Sequence, residues 1–155
     1  MIRRDNVRLI KQKTGSDCAV CSMAMLTGIP YKKVYQILEK DGSYVEGKGM
    51  QDTESALLAL GLRREYKRHP RVRKAFVETY ADFKHMWKPW EISPQYYRQQ
   101  LWGRRALLSV PSLNNPGGSH MIYWHYDRIY DPSPKKTYTK FDDLEPTHIY
   151  VFMEN

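Results

Sequence analysis

The stretch that most constrains this chain lies near its start. Gly15-Ser16-Asp17 leads directly into Cys18 and a run of small and apolar residues. Gly-Ser-Asp is turn chemistry, and Asp17 is a good helix N-cap. Val20, Met23, Ala24 and Thr27 recur at helical spacing and mark a buried stripe, and Gly28-Ile29-Pro30 stops the helix. Cys18 therefore falls in the first turn of a buried helix. There the unpaired backbone N–H groups and the positive end of the helix dipole favour a thiolate. The charge of Asp17 opposes this, but as a cap Asp17 directs that charge onto the same N–H groups. A thiolate at a helix start is a nucleophile. It still requires a base, a group to orient the base, and donors for an oxyanion.

A chain of 155 residues makes a single domain, 1–155, the default, with enough length for a core. No run approaches the roughly 18 apolar residues of a membrane span, so no membrane partner is expected. The N-terminal Met1-Ile2-Arg3-Arg4-Asp5-Asn6 has no apolar segment of a secretory signal behind it. Two cysteines three apart on one helix do not form a disulfide framework, so a reduced, cytoplasmic setting is expected. The formal charge, 25 minus 17, is +8. That fits nucleic acid, an acidic protein partner or simple solubility.

The rest of the chain divides by texture. Val7, Leu9 and Ile10 lay one extended segment on the core. A second helix is predicted from Tyr31 to Lys40, with Val34, Ile37 and Leu38 inward and lysines opposite. Asp41 to Gly49 reads as a polar loop. A third helix runs from about Asp52 to Leu60, capped by Asp52 or Thr53, with Ala56, Leu57 and Leu60 inward and Gly61 as its stop. Residues 63–74 hold seven Lys/Arg, and residues 76–102 hold eight aromatics. Ser93-Pro94 predicts a short helix to about Leu101. From Arg105 strands take over: Ala106–Val110, His120–Trp124, Arg128–Tyr130 and Thr147–Met153, with Pro111–Ser119 as a loop. Helices first and strands afterwards predict an α+β fold, N-terminal helices packed on a C-terminal antiparallel sheet.

The base is expected from the strand half. His120 follows Gly117-Gly118-Ser119 and begins a strand. With the turn centred on Tyr126-Asp127, paired residue numbers across the hairpin sum to 126 + 127 = 253, so Asp131 faces Ile122. Faces alternate with period two, which puts Asp131 on the face of His120 and diagonal to it. Diagonal positions are roughly 7–8 Å apart at the backbone, within side-chain reach. Asp131 then holds the imidazole of His120 and leaves its other nitrogen for Cys18. A three-residue turn would put Asp131 on the opposite face. His125 falls on the other face and is the weaker base. Gln12, six residues before Cys18, reaches back over the helix start. Its amide and the Cys18 N–H make a two-donor oxyanion site.

Gln12, Asp17-Cys18-Ala19, Gly118-Ser119-His120 and Tyr130-Asp131-Pro132 together resemble the papain-like cysteine peptidases. The nearest likeness is to the bacteriocin-leader (double-glycine) peptidase group and its small stand-alone relatives in bacteria and phages. The likeness covers about 12–30 and 117–134, plus the order of elements. It implies a papain-like fold, with Gln12 serving the oxyanion, Cys18 opening the first core helix, and His120 and Asp131 on successive strands. Ala19 stands where that group often has Gly. The 63–102 section has no counterpart there, nor does the chain carry the transporter to which leader peptidases are usually fused.

Other readings compete for the same residues. Cys18-Ala19-Val20-Cys21 is a CxxC, but a redox site of the thioredoxin type has an apolar strand running into it, and Lys11 to Asp17 is polar. Cys21 reads as a small core residue. CxxC with His120 and His125 has the ligand count of a zinc site, yet the two histidines point to opposite faces. Gly42 to Gly49 nearly spells a phosphate loop, but Gly49 replaces the Ser/Thr and a helix precedes it. Alone, His120 would read as a strand-start histidine, Asp131 as a turn former and Gln12 as a solvated loop amide. In register with Cys18 they read as a set. His69, His85 and His148 lack matched partners and read as surface or core. The basic run and aromatics suit single-stranded nucleic acid, a docking surface for an acidic partner at 63–74, or, favoured over both, a solvated basic face over an aromatic core.

The expectation is a cysteine-dependent hydrolase of peptide or isopeptide bonds in the cytoplasm. Its triad is Cys18, His120 and Asp131, with Gln12 as oxyanion donor, and it acts on a protein or peptide substrate with no metal or organic cofactor. Acyl transfer and deamidation use the same set. The alternative is a non-catalytic protein- or nucleic-acid-binding module on a peptidase-like fold.

Overall fold

The computed structural model describes residues 7–64, 77–81, 98–99 and 101–152. Helix α1, Cys18–Thr27, carries no charged side chain and is buried from Ala19 through Leu26. The stripe expected from Val20, Met23 and Ala24 thus widens to the whole circumference. The reason is position: α1 lies between the sheet and helix α2, Tyr31–Asp41. A helix packed on both sides has no polar face to keep. It ends where Gly28 takes φ 76° and returns its N–H to the Ala24 carbonyl at 3.0 Å, a left-handed stop open to glycine. Helix α3, Thr53–Ala59, starts on Asp52, whose carboxylate accepts from the Ser55 N–H at 3.0 Å.

The polar loop expected from Asp41 to Gly49 is replaced by a small hairpin. Strands β1, Tyr44–Val45, and β2, Gly49–Met50, pair there. Tyr44 is fully buried, edge-on to Tyr35 with ring centres 5.2 Å apart. The polar residues around it mask the one large side chain that anchors the turn.

The main sheet has the order β3-β4-β8-β5-β6-β7. These strands are β3, Arg63–Arg64; β4, Val77–Ala81; β5, Arg104–Pro111; β6, Ser119–Tyr126; β7, Arg128–Tyr130; and β8, His148–Phe152. Strands β8, β5, β6 and β7 are antiparallel, and β4 joins β8 in parallel. The architecture is α+β, helices leading and strands following, as the texture predicts. Leu107, Met121, Tyr123, Tyr150 and Phe152 belong to the same core as α1, while Ala106, Leu108, Ile122, Trp124 and Val151 pack with Leu101, Tyr138 and Leu144 in a second. Burial on both faces explains why β5 reads as a continuous apolar run rather than an alternation.

The β6–β7 hairpin has the expected register. Tyr123 pairs with Tyr130, Trp124 with Ile129, and His125 with Arg128, each pair summing to 253. The turn is tight: Tyr126 adopts φ 61°, and the Asp127 N–H bonds the His125 carbonyl at 2.7 Å. Positive φ at a non-glycine residue is strained. Here the Tyr126 carbonyl is held by the Gly103 N–H at 2.8 Å.

Of the helix expected from Ser93 to Leu101, residues 98, 99 and 101 are helical and the others lie outside the described residues. So do His69, His85 and the basic segment beyond Arg64. Among the described residues no helix is long and apolar enough to cross a membrane.

Candidate active site

Cys18 opens α1 and is half-buried, whereas Cys21 one turn later is fully buried. Asp17 does not cap this helix with its side chain, contrary to the sequence expectation. Its backbone, at φ −103° and ψ 21°, lies outside the extended region usual for an N-cap. The Asp17 carboxylate accepts instead from the Lys13 N–H at 3.0 Å, the Thr14 N–H at 3.2 Å and the Tyr31 hydroxyl at 2.6 Å. Burial works to raise its pKa, but these donors outweigh it and hold the carboxyl below the usual range. The Cys21 thiol donates to the same carboxylate at 3.9 Å. Burial first, then the Asp17 charge, pushes Cys21 up to about 12, so it stays a thiol.

His120 is the second residue of β6, just after the loop 112–118. Gly118 closes that loop, since a Cβ there would stand 3.1 Å from the Asn115 carbonyl oxygen. The His120 Nε2 lies 2.7 Å from Asp131 Oδ1, with the side chains 11% and 3% exposed. An ionised carboxylate only accepts, so Nε2 carries the proton and Nδ1 is the nitrogen left over. Cys18 lines the same cleft as this ring and lies near enough to influence its charge. Burial works against the charged imidazole, but the bond to Asp131 and the influence of Cys18 overcome it, raising His120 to about 9. At neutral pH His120 is an imidazolium. Asp131 also accepts from the Ser133 N–H at 2.9 Å and the Tyr138 N–H at 2.9 Å. Burial would raise its pKa, yet His120 and these two N–H groups lower it.

Gln12 is brought to the site by its backbone. Its N–H bonds the Pro132 carbonyl at 2.8 Å, and the Lys11 ammonium bonds the Ser133 carbonyl at 2.8 Å. The leading segment is thereby tied to the residues that follow Asp131. Gln12, Cys18 and His120 line one cleft of about 230 Å³. The Gln12 Nε2 donates to the Thr14 carbonyl at 3.2 Å, which occupies one of its two N–H bonds. The opposite walls come from loops 112–118 and 131–136. Asn114 stitches them together, its Nδ2 donating to Ser133 Oγ at 3.0 Å and the Lys136 carbonyl at 3.1 Å, and its Oδ1 accepting from the Lys136 N–H at 3.2 Å.

His125 packs elsewhere, buried with its Nδ1 2.6 Å from the Tyr123 hydroxyl. His148 lies against Thr147 and stacks on Tyr150. The sequence reading overlooked Tyr31, Asn114 and Tyr138. Tyr31 and Asn114 act through partners 14 and 19 residues away, and Tyr138 through Asp131, seven residues back. None of these pairs lies within one helix or strand, where a repeat would mark it. A larger hollow of about 500 Å³ lies beside β7, against Tyr130, Asp131 and Tyr138, and holds neither Cys18 nor His120. Compared with known protein families, curated proteins and solved structures, the chain matches none.

Proposed function

We propose that the protein is a cysteine-dependent hydrolase of peptide or isopeptide bonds, of the papain-like kind, working in the cytoplasm. One observation carries the reading: the imidazole that Asp131 holds at 2.7 Å lines the same cleft as Cys18. The charged imidazole stabilises a Cys18 thiolate beside it. The thiolate attacks the scissile carbonyl carbon, an S–C bond forms, and the carbonyl electrons move to oxygen. The Cys18 N–H and the free Gln12 N–H receive that oxyanion. Collapse of the adduct breaks the C–N bond, and His120 gives its proton to the departing amine. Water then attacks the thioester, with His120 taking a proton, and the acid and thiolate are released. Acyl transfer would follow if an amine took the place of water.

The test is modification by iodoacetamide, read by peptide mass. Cys18 is expected to react orders of magnitude faster than Cys21. Equal, slow labelling of both thiols, with no cleavage of a diverse peptide library, would leave the binding-module reading in its place.

The cleft also bears on substrate choice. Besides His120, Lys135 is its one charged lining side chain among the described residues, and no carboxylate lines it. Peptides with an acidic residue near the scissile bond are therefore favoured. Lys135→Glu should lower kcat/KM for such peptides roughly fivefold, as an exposed ion pair is worth about 1 kcal/mol. The loss should shrink as salt rises. Equal rates for acidic and basic library members in both proteins would refute this preference.

A further inference from the structure

Asp17 is a fully buried, ionised carboxylate one residue before the nucleophile, and the reaction scheme above makes no use of it. We propose that Asp17 and Tyr31 form a clamp that positions the 12–16 loop, and through it the Gln12 donor and the opening of α1, for the oxyanion. They are positioning residues, and the inference rests on the hydrolase reading.

The loop needs such a clamp. Lys13, Thr14 and Gly15 are all exposed, and a glycine-containing exposed segment is intrinsically free. Three groups from two elements converge on the one carboxylate: the Lys13 and Thr14 N–H groups from the loop and the Tyr31 hydroxyl from α2. The Lys13 ammonium sits over the Tyr31 ring, 4.9 Å from its centre, and covers the junction. At its other end the loop is held by the Gln12 N–H on Pro132. Gln12 is thus fixed between the helical layer and the segment after β7 that carries Asp131. An oxyanion donor acts only when it is already in place, and a displacement of about 1 Å costs up to roughly 100-fold in rate.

The carboxylate has a second consequence at the same place. It accepts the Cys21 thiol at 3.9 Å and so keeps the inner sulfur protonated. Two cysteines one helical turn apart are thereby given different fates. One is tied to Asp17, and the other faces His120.

Tyr31→Phe tests the clamp, because it keeps the ring and the Lys13 contact and removes only the hydroxyl. Three quantities are measured in the full chain: kcat and KM on a cleaved library peptide, the iodoacetamide rate at Cys18, and amide hydrogen exchange. Expected are a fall in kcat of roughly 10- to 100-fold with KM unchanged, and faster exchange at Lys13 and Thr14 with β6 unaffected. The alkylation rate should stay as in the wild type, since displacement of iodide needs no oxyanion donor. Asp17→Asn, if it folds, should act in the same direction and more strongly. Unchanged exchange in the loop overturns the clamp whatever the activity. Parallel loss of kcat and alkylation overturns it too, because the effect would then lie at the nucleophile. A wild-type protein that cleaves nothing and alkylates slowly overturns the hydrolase reading instead.

Discussion

His120→Ala is expected to lower peptide turnover by about 10⁴-fold, close to the loss in Cys18→Ala. The two losses should not add, because thiolate and imidazolium act as one unit. Without the ring, the Cys18 thiolate loses its neighbouring cation, and the leaving amine loses its acid. Iodoacetamide labelling of Cys18 should slow in the same variant. In the wild type the alkaline limb of the rate profile should fall through about pH 9, the value to which Asp131 and Cys18 raise the ring. The sign follows from the role: the protonated ring is the acid, so activity is lost as that proton leaves. Initial rates across pH 6–11, with circular dichroism on each variant, decide the matter. A His120→Ala protein with near wild-type turnover would remove this residue from the chemistry.

Asp131→Asn should cost about 10²- to 10⁴-fold in rate and move the alkaline limb downward by roughly 1–3 pH units. The carboxylate holds the ring through Nε2 at 2.7 Å and stabilises its charge. An asparagine can present its oxygen to the ring, but it supplies no charge. Stability should change as well, by about 2 kcal/mol, because the Ser133 and Tyr138 N–H groups share the same buried carboxylate. The pH window of that difference is set by both partners. Asp131, lowered by its donors, contributes above the ordinary carboxylate value of 3.8 and loses its contribution as pH falls. His120, raised to about 9, contributes fully below the ordinary 6.5 and loses its contribution as pH rises through 9. The gap between wild type and variant in urea melts should therefore be widest between these ordinary values and narrow at alkaline pH. A gap that stays constant from pH 5 to 10 would mean the pair is not charged in the folded protein.

The pairing of His120 with Asp131 was legible because it depends on short-range rules. Strand faces alternate every second residue, and a two-residue turn at Tyr126-Asp127 fixes the register. The same holds for the start of α1 at Cys18, where a turn meets an apolar helical run, and for β5, whose apolar run only a doubly covered strand tolerates. The position of Gln12 was suggested by spacing, yet its backbone bond to Pro132 joins segments more than a hundred residues apart. Nothing local encodes that.

Asp17 marks the boundary between the two kinds of information. Its carboxylate has donors within reach in either direction, the N–H groups of α1 ahead or those of Lys13 and Thr14 behind. Sequence alone favours the cap. Packing α2 against α1 brings the Tyr31 hydroxyl to 2.6 Å, and that added charge-assisted bond tips the choice backward. Tyr44 follows the same logic, a buried ring in a stretch that reads as polar. Where each residue sits within its own element was therefore written in the chain. Which of several competing partners a polar group takes was decided only when distant elements met, because burial makes an unmet donor or acceptor too costly to leave.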